Sequence, residues 1–172
     1  MNTPQKDPPR ITAEWNALRT FIDGVRVHEV KNVVMENLCL TEIFRQDWPI
    51  AETPIRHVLH VVLQPGARTA TWTKHERQHD HVFVTAGLVK AVLCDGREGS
   101  PTKDKIDVFV LSPLRPMLLA FPPGIWHVFV NLLDGEASSL LTLTDKPYCY
   151  EDPDSWRLPL DSPEIPYRFP DR

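Results

Sequence analysis

The sequence predicts an all-β protein, a barrel or sandwich of many short strands. Two observations carry this. Seventeen prolines stand against seven glycines in 172 residues, a balance suited to extended segments joined by fixed turns. Short runs rich in β-branched and aromatic residues recur along the chain, with Pro65-Gly66, Asp95-Gly96 and Pro123-Gly124 among the breaks between them. Such a succession predicts sheet packed on sheet rather than alternating strands and helices.

Residues 1–10 read as a polar, Pro-rich tail. Thr12 to Ile22 predicts a short helix, with Thr12 as N-cap and Trp15, Leu18, Phe21 and Ile22 at helical spacing, and Gly24 ends it. Residues 1–24 are therefore set apart from a barrel domain over 25–172. Strands are expected at Val25–Val34, Leu38–Phe44, His57–Leu63, Thr69–His75, Asp80–Thr85 and Val89–Cys94. Asp107–Leu111, Met117–Phe121, His127–Leu132 and Ser138–Thr144 continue the series. Tyr148 to Arg172, rich in Pro and Asp, reads as a long segment wrapped over the barrel.

The formal net charge is −4, and Lys and Arg are scattered. This favours neither a nucleic-acid partner nor a membrane surface. No apolar run approaches bilayer-spanning length, and the N-terminus lacks the apolar stretch of a signal peptide. Cys39, Cys94 and Cys149 are odd in number and widely spaced. That argues against a disulfide framework and for a reducing, cytoplasmic location.

The most specific local signal is Pro122-Pro123-Gly124-Ile125-Trp126-His127-Val128-Phe129-Val130-Asn131. Pro-Pro-Gly makes a tight turn into a strand that aims His127, Phe129 and Asn131 to one face and Val128 and Val130 to the other. The run matches the second cupin motif, Pro-x-Gly-x-x-His-x-x-x-Asn, at every fixed position. The first cupin motif is present in altered form: Gly66, His75, Asp80 and Gly87 fall in register, and Thr73 stands where its first His belongs. Thr71, Thr73 and His75 share one strand face, Trp72 and Lys74 the other.

Further runs extend the likeness. Val89-Lys-Ala-Val-Leu-Cys-Asp95-Gly-Arg97-Glu-Gly-Ser100-Pro101-Thr102, Glu42-Ile43-Phe44-Arg45 and the stretch from Asp161 to Phe169 resemble, in the same order, motifs of the dTDP-4-dehydrorhamnose 3,5-epimerases. The resemblance covers roughly residues 25 to 170. It implies a cupin (jelly-roll) β-barrel, here with a short N-terminal helix and a long C-terminal wrapping segment. It also implies a homodimer, a metal-free site, and removal of protons beside the keto group of a nucleotide-linked deoxysugar.

The departures fall on the chemistry. The family's catalytic His falls on Thr73, the Arg of the same motif on Ala70, a second phosphate-binding Arg on Asn37, and the catalytic Tyr on Leu141. The Asp that orients the base is retained as Asp161. A proton beside a carbonyl needs a base and a group to hold the enolate. His75, two residues along the same face from Thr73, is the candidate displaced base, with Asp161 or Asp80 as its carboxylate partner. His57, Thr73, His127, Glu42, Trp72 and Asn131 are candidate substrate-binding residues, and Tyr148 or Tyr150 a replacement acid. His79 and His81, flanking Asp80, are expected to face away from the interior, at the surface or a dimer contact.

The alternatives are a divalent transition metal held by His75, Asp80 and His127, two imidazoles and a carboxylate forming a facial set, or a sugar-nucleotide-binding cupin without catalysis. No cofactor is required by the first reading. The expected ligand is a small sugar nucleotide or keto-sugar.

Overall fold

A computed structural model describes Lys6, Pro9, residues 11–13 and residues 19–170. The helix expected over Thr12–Ile22 has its middle, residues 14–18, outside the described residues. The flanks that are described are turn and irregular backbone, and no helix occurs among the described residues.

Twelve strands occur among the described residues, in order: β1 (Arg26–Glu29), β2 (Asn32–Val34), β3 (Cys39–Thr41), β4 (His57–Leu63), β5 (Trp72–Lys74) and β6 (Asp80–Ala86). Then come β7 (Val89–Asp95), β8 (Ile106–Leu111), β9 (Met117–Phe121), β10 (Ile125–Asn131), β11 (Ser138–Thr144) and β12 (Trp156–Leu158). They form two five-stranded antiparallel sheets, ordered β1-β9-β6-β11-β4 and β12-β5-β10-β7-β8, with β2-β3 as a separate hairpin. Strands β4, β9 and β11 have the bounds expected from sequence. The unexpected strand is β12, which lies in the segment read as a wrapping loop.

Period-two alternation assigns the layers. Val82 and Val84 of β6, Leu119 and Phe121 of β9 and Leu140 of β11 meet Ala91 and Leu93 of β7, Phe109 and Leu111 of β8, and Ile125 and Phe129 of β10. These facing residues make the core between the sheets. The intervening residues point outward and are covered as well. Phe83, Leu118 and Leu143 lie beneath Ile43, Phe44, Trp48 and Ile50, whereas Trp72, Val92, Val128 and Val130 lie beneath Leu158, Leu160, Ile165 and Phe169. The segments after β3 and after β12 thus each shield one sheet, which is why strands such as β7 and β10 read as nearly continuous apolar runs.

The turn into β10 depends on Gly124. Its φ is +86°, and an added Cβ would lie 2.3 Å from Cγ of Arg97. Both the backbone conformation and the space require glycine. Its N–H donates to the His75 carbonyl at 2.7 Å, tying this turn to the end of β5.

Candidate active site

At one end the two sheets are not filled. A cavity of about 300 Å³ opens there, floored by Leu59, Val61, Val82 and Phe129 and ringed by polar groups. Three of these converge. One nitrogen from each of His75 and His127 and one oxygen of Asp80 lie within 4.8 Å of one another. Asp80 comes from β6 of the first sheet, and His127 from β10 of the second. His75 follows β5 directly, so the group spans the gap between the layers.

His75 is held by its surroundings. Its Nδ1–H donates to the main-chain carbonyl of Asp154, which leaves Nε2 as the acceptor nitrogen. Asp154 is itself fixed, because its carboxylate accepts from the N–H groups of Glu76 (2.9 Å) and Arg77 (2.8 Å). The two imidazoles are near neighbours, with ring centroids 5.7 Å apart.

His127 is buried between the rings of Phe121 and Phe129, at centroid distances of 5.1 and 5.5 Å. Its Nδ1–H donates to the Ile125 carbonyl at 3.3 Å. Burial, reinforced by the neighbouring His75, pushes its pKa down to about 3, so it is a neutral imidazole near pH 7. Asp80 is 3 % exposed and accepts from Gln78 Nε2 at 2.8 Å. Burial pushes its carboxyl up to about 6, against the opposing influence of His75 and Gln78.

His57 also lines the cavity, from the start of β4. Thr73, on β5 of the second sheet, lies directly opposite His127; it is not among the residues lining the cavity, and its hydroxyl accepts from the guanidinium of Arg157. The remaining expectations need correction. Trp72 is fully buried on the other face of β5, against Tyr167 and Phe169. Asn131 points to the inner face but at the far end, where its amide donates to the carbonyls of Leu63, Gln64 and Glu136 and its oxygen accepts from Ser138. Glu42 is exposed beside Arg45 on a different face. Asp161 is exposed on the C-terminal segment and is not among the cavity residues. The group placed against His75 is Asp154, through its backbone.

His79 and His81 do face away from the cavity. His79 donates through its N–H and Nδ1 to Asp145, at 2.8 and 3.1 Å. His81 is not at the surface: it is 3 % exposed and packs edge-on against Phe44.

Sequence reasoning missed Arg157, Gln78, Ser155 and Thr142, all of which line the cavity. Tyr148 is at the mouth, as expected. It also borders an outer chamber of about 210 Å³, together with Arg77, Lys146 and Cys149. His75, Gln78, Tyr148 and Ser155 line both spaces, so the two chambers adjoin. The outer chamber carries cationic side chains, and the inner one carries imidazoles on an apolar floor.

No model of a protein family matches the chain. Among curated proteins, a probable low-salt glycan biosynthesis epimerase of Haloferax volcanii is 36% identical over 81% of this chain and 89% of its own length. Among solved structures, a dTDP sugar isomerase from Desulfovibrio desulfuricans superposes with a TM-score of 0.77 at 27% identity, over 85% of this chain and 90% of that one. A dTDP-6-deoxy-D-glucose-3,5-epimerase from Legionella pneumophila, in complex with dTDP-4-keto-L-rhamnose, gives a TM-score of 0.75 at 22% identity, covering 88% and 81%. The strand order, the cupin motif that delivers His127, and these likenesses agree: the chain belongs to the dTDP-4-dehydrorhamnose 3,5-epimerase-like family of cupin proteins.

Proposed function

We propose that the protein is an epimerase or isomerase of a nucleotide-linked keto-deoxysugar, acting by proton abstraction next to the carbonyl, with His75 as base. One observation carries this reading: His75, His127 and Asp80 meet within 4.8 Å in a cavity between the sheets. The tautomer of His75 supports it, since Nδ1 is committed to the Asp154 carbonyl and Nε2 is left to take a proton. The floor of Leu59, Val61, Val82 and Phe129 suits the apolar edge of a deoxysugar. The outer chamber, with Arg77 and Lys146, suits a diphosphate. Tyr148, which borders both spaces, is the acid assigned to deliver a proton to the opposite face of the sugar. The reaction so written needs no cofactor.

The test is solvent exchange. In deuterium oxide, a dTDP-4-keto-6-deoxyhexose is expected to gain deuterium at C3 or C5, and His75→Ala is expected to abolish the gain. Exchange undiminished in His75→Ala would remove the base from this account.

The same convergence favours a second reading, in which His75, Asp80 and His127 hold a divalent transition metal. Elemental analysis of the purified protein decides it: one equivalent of a first-row metal, lost on His127→Ala, supports the metal, and its absence after growth in metal-supplemented medium sinks it.

We also infer a cytoplasmic homodimer. Strand β4 is a sheet edge whose outer face exposes Val58 and Val62, and the β2–β3 hairpin exposes Val33, Val34, Leu38 and Leu40. Unpaired edges with apolar side chains are commonly covered by a second copy. The cysteines are all free thiols, in keeping with a reducing compartment. Light scattering should return twice the 19.7 kDa chain mass, and a monomer at micromolar concentration would exclude the dimer.

A further inference from the structure

Several arginines of this protein are paired with carboxylates. Arg77 pairs with Asp152, Arg97 with Asp95, and Arg19 with Asp107. Arg157 does not follow the pattern. It lines the inner cavity, yet it makes no ion pair with any carboxylate among the described residues. Its guanidinium donates to one neutral acceptor, the hydroxyl of Thr73. A guanidinium has five N–H donors and stays charged at all working pH values. Arg157 is exposed, and a guanidinium at the wall of a binding cavity whose remaining donors no carboxylate occupies is suited to an anion that arrives with the ligand or forms on it.

Its location selects which anion. Arg157 on β12 is the cross-strand partner of Thr73 on β5, and Thr73 is the partner of His127 on β10. The three side chains form one row on the cavity face, and His75 lies two residues along from Thr73. Arg157 is therefore beside the imidazoles, whereas the outer chamber has its own cations in Arg77 and Lys146. The Thr73 hydroxyl, which accepts from Nη1 of Arg157, anchors one arm of the guanidinium there.

We propose that Arg157 is the group that holds the enolate oxygen during the reaction. This rests on the proton-abstraction reading above. The sequence is balanced. A proton leaves the carbon beside the keto group for Nε2 of His75. The C–H electron pair becomes a C=C bond, and the carbonyl π pair settles on oxygen, where Arg157 meets the negative charge. The pair returns to carbon when Tyr148 delivers its proton to the opposite face, after which His75 gives its proton to solvent and Tyr148 regains one from it. Nothing is oxidised or reduced. A donor aimed at charge that develops in the transition state typically accounts for 10²–10³ in rate.

The experiment compares the wild type with Arg157→Gln and Arg157→Lys, following deuterium uptake into a dTDP-4-keto-6-deoxyhexose and, separately, the affinity for TDP. Arg157→Gln is expected to lower the exchange kcat by roughly a hundredfold or more, with TDP affinity within about twofold. Arg157→Lys, which keeps the charge, is expected to recover a substantial part of that loss. Exchange within threefold of wild type in Arg157→Gln would overturn the role. So would a loss confined to KM and TDP affinity, which would make Arg157 a phosphate-binding group. Thr73→Val guards against a folding artefact: it keeps the guanidinium but removes its anchor, and should lower kcat less than Arg157→Gln does. A wild type that exchanges no deuterium would instead overturn the epimerase reading itself, and this role with it.

Discussion

Asp95 and Arg97 form a two-pronged ion pair at the end of β7, with both carboxylate oxygens 2.8 Å from guanidinium nitrogens. The carboxylate side chain is fully buried. It also accepts from the hydroxyls of Ser100 and Thr102, each at 2.6 Å. Arg97 reaches on to the carbonyl of Asp23 at 2.7 Å. The Asp-x-Arg-x-x-Ser-Pro-Thr run is thus a structural clasp that holds the entry segment against the turn before β10.

Asp95→Asn should therefore cost stability rather than chemistry. Leaving Arg97 without its buried partner is expected to cost about 3 kcal/mol, or roughly 10 °C in Tm for a chain of this size. Acid should reveal the same group. The Arg97, Ser100 and Thr102 hydrogen bonds overcome burial and hold the Asp95 carboxyl well below its ordinary value of 3.8. A depressed carboxylate contributes its full stability above the unfolded-state pKa and loses it as pH falls towards the folded one. Wild-type stability should therefore decline below about pH 4, and Asp95→Asn should decline less. Parallel pH curves for the two proteins would contradict this.

Cys94 should be chemically silent. It is 1 % exposed, and burial pushes its thiol up to about 12. The thiolate is the reactive form, so it is doubly protected. Cys39 and Cys149 are exposed. Ellman titration of the native protein should count two thiols, rising to three in denaturant. A native count of three would mean that β7 opens readily.

The barrel was legible in sequence because its strands are bounded by Pro and Gly and because the turn into β10 is locally encoded. His127 could be placed from its own ten-residue run, and His75 and Asp80 from the spacing between glycines. Asn131 could not. Its alternation correctly put it on the inner face, but alternation does not say how far along the barrel a residue lies. Arg157 was invisible for another reason. Strand β12 has three residues and exists only because it pairs with β5, more than 80 positions earlier. Nothing in Trp156-Arg157-Leu158 announces that long-range contact. Trp72 illustrates the same limit in reverse: the face was legible, but the Tyr167 and Phe169 side chains that cover it come from the distant C-terminal segment.

Asn131 accordingly makes a stability prediction. Removing its amide leaves the carbonyls of Leu63, Gln64 and Glu136 without its donor and the Ser138 hydroxyl without its acceptor. Unsatisfied buried polar groups cost about 1–3 kcal/mol each, partly relieved by relaxation or water. Asn131→Ala should lower unfolding stability by about 2–4 kcal/mol while the folded fraction keeps its deuterium-exchange rate. A normal melting curve with lost exchange would restore Asn131 to the ligand site.

The orientation of His75 provides the last contrast. The family resemblance assigned this task to Asp161, which the fold leaves exposed and away from the cavity. The contact is made instead by the Asp154 carbonyl, locked in place because the same residue's carboxylate binds the N–H groups of Glu76 and Arg77. Asp154→Ala keeps the carbonyl but frees the segment that carries it. Misplacing a catalytic group by about 1 Å can cost on the order of 10²-fold. Exchange should therefore fall at least about tenfold in Asp154→Ala, with the loss in kcat, whereas Asp161→Ala should stay within about twofold of wild type. Asp154→Asn retains one acceptor oxygen for those N–H groups and should fall between Asp154→Ala and the wild type. The reverse ranking, with Asp161→Ala impaired and Asp154→Ala intact, would require the C-terminal segment to move over the cavity and bring Asp161 to His75.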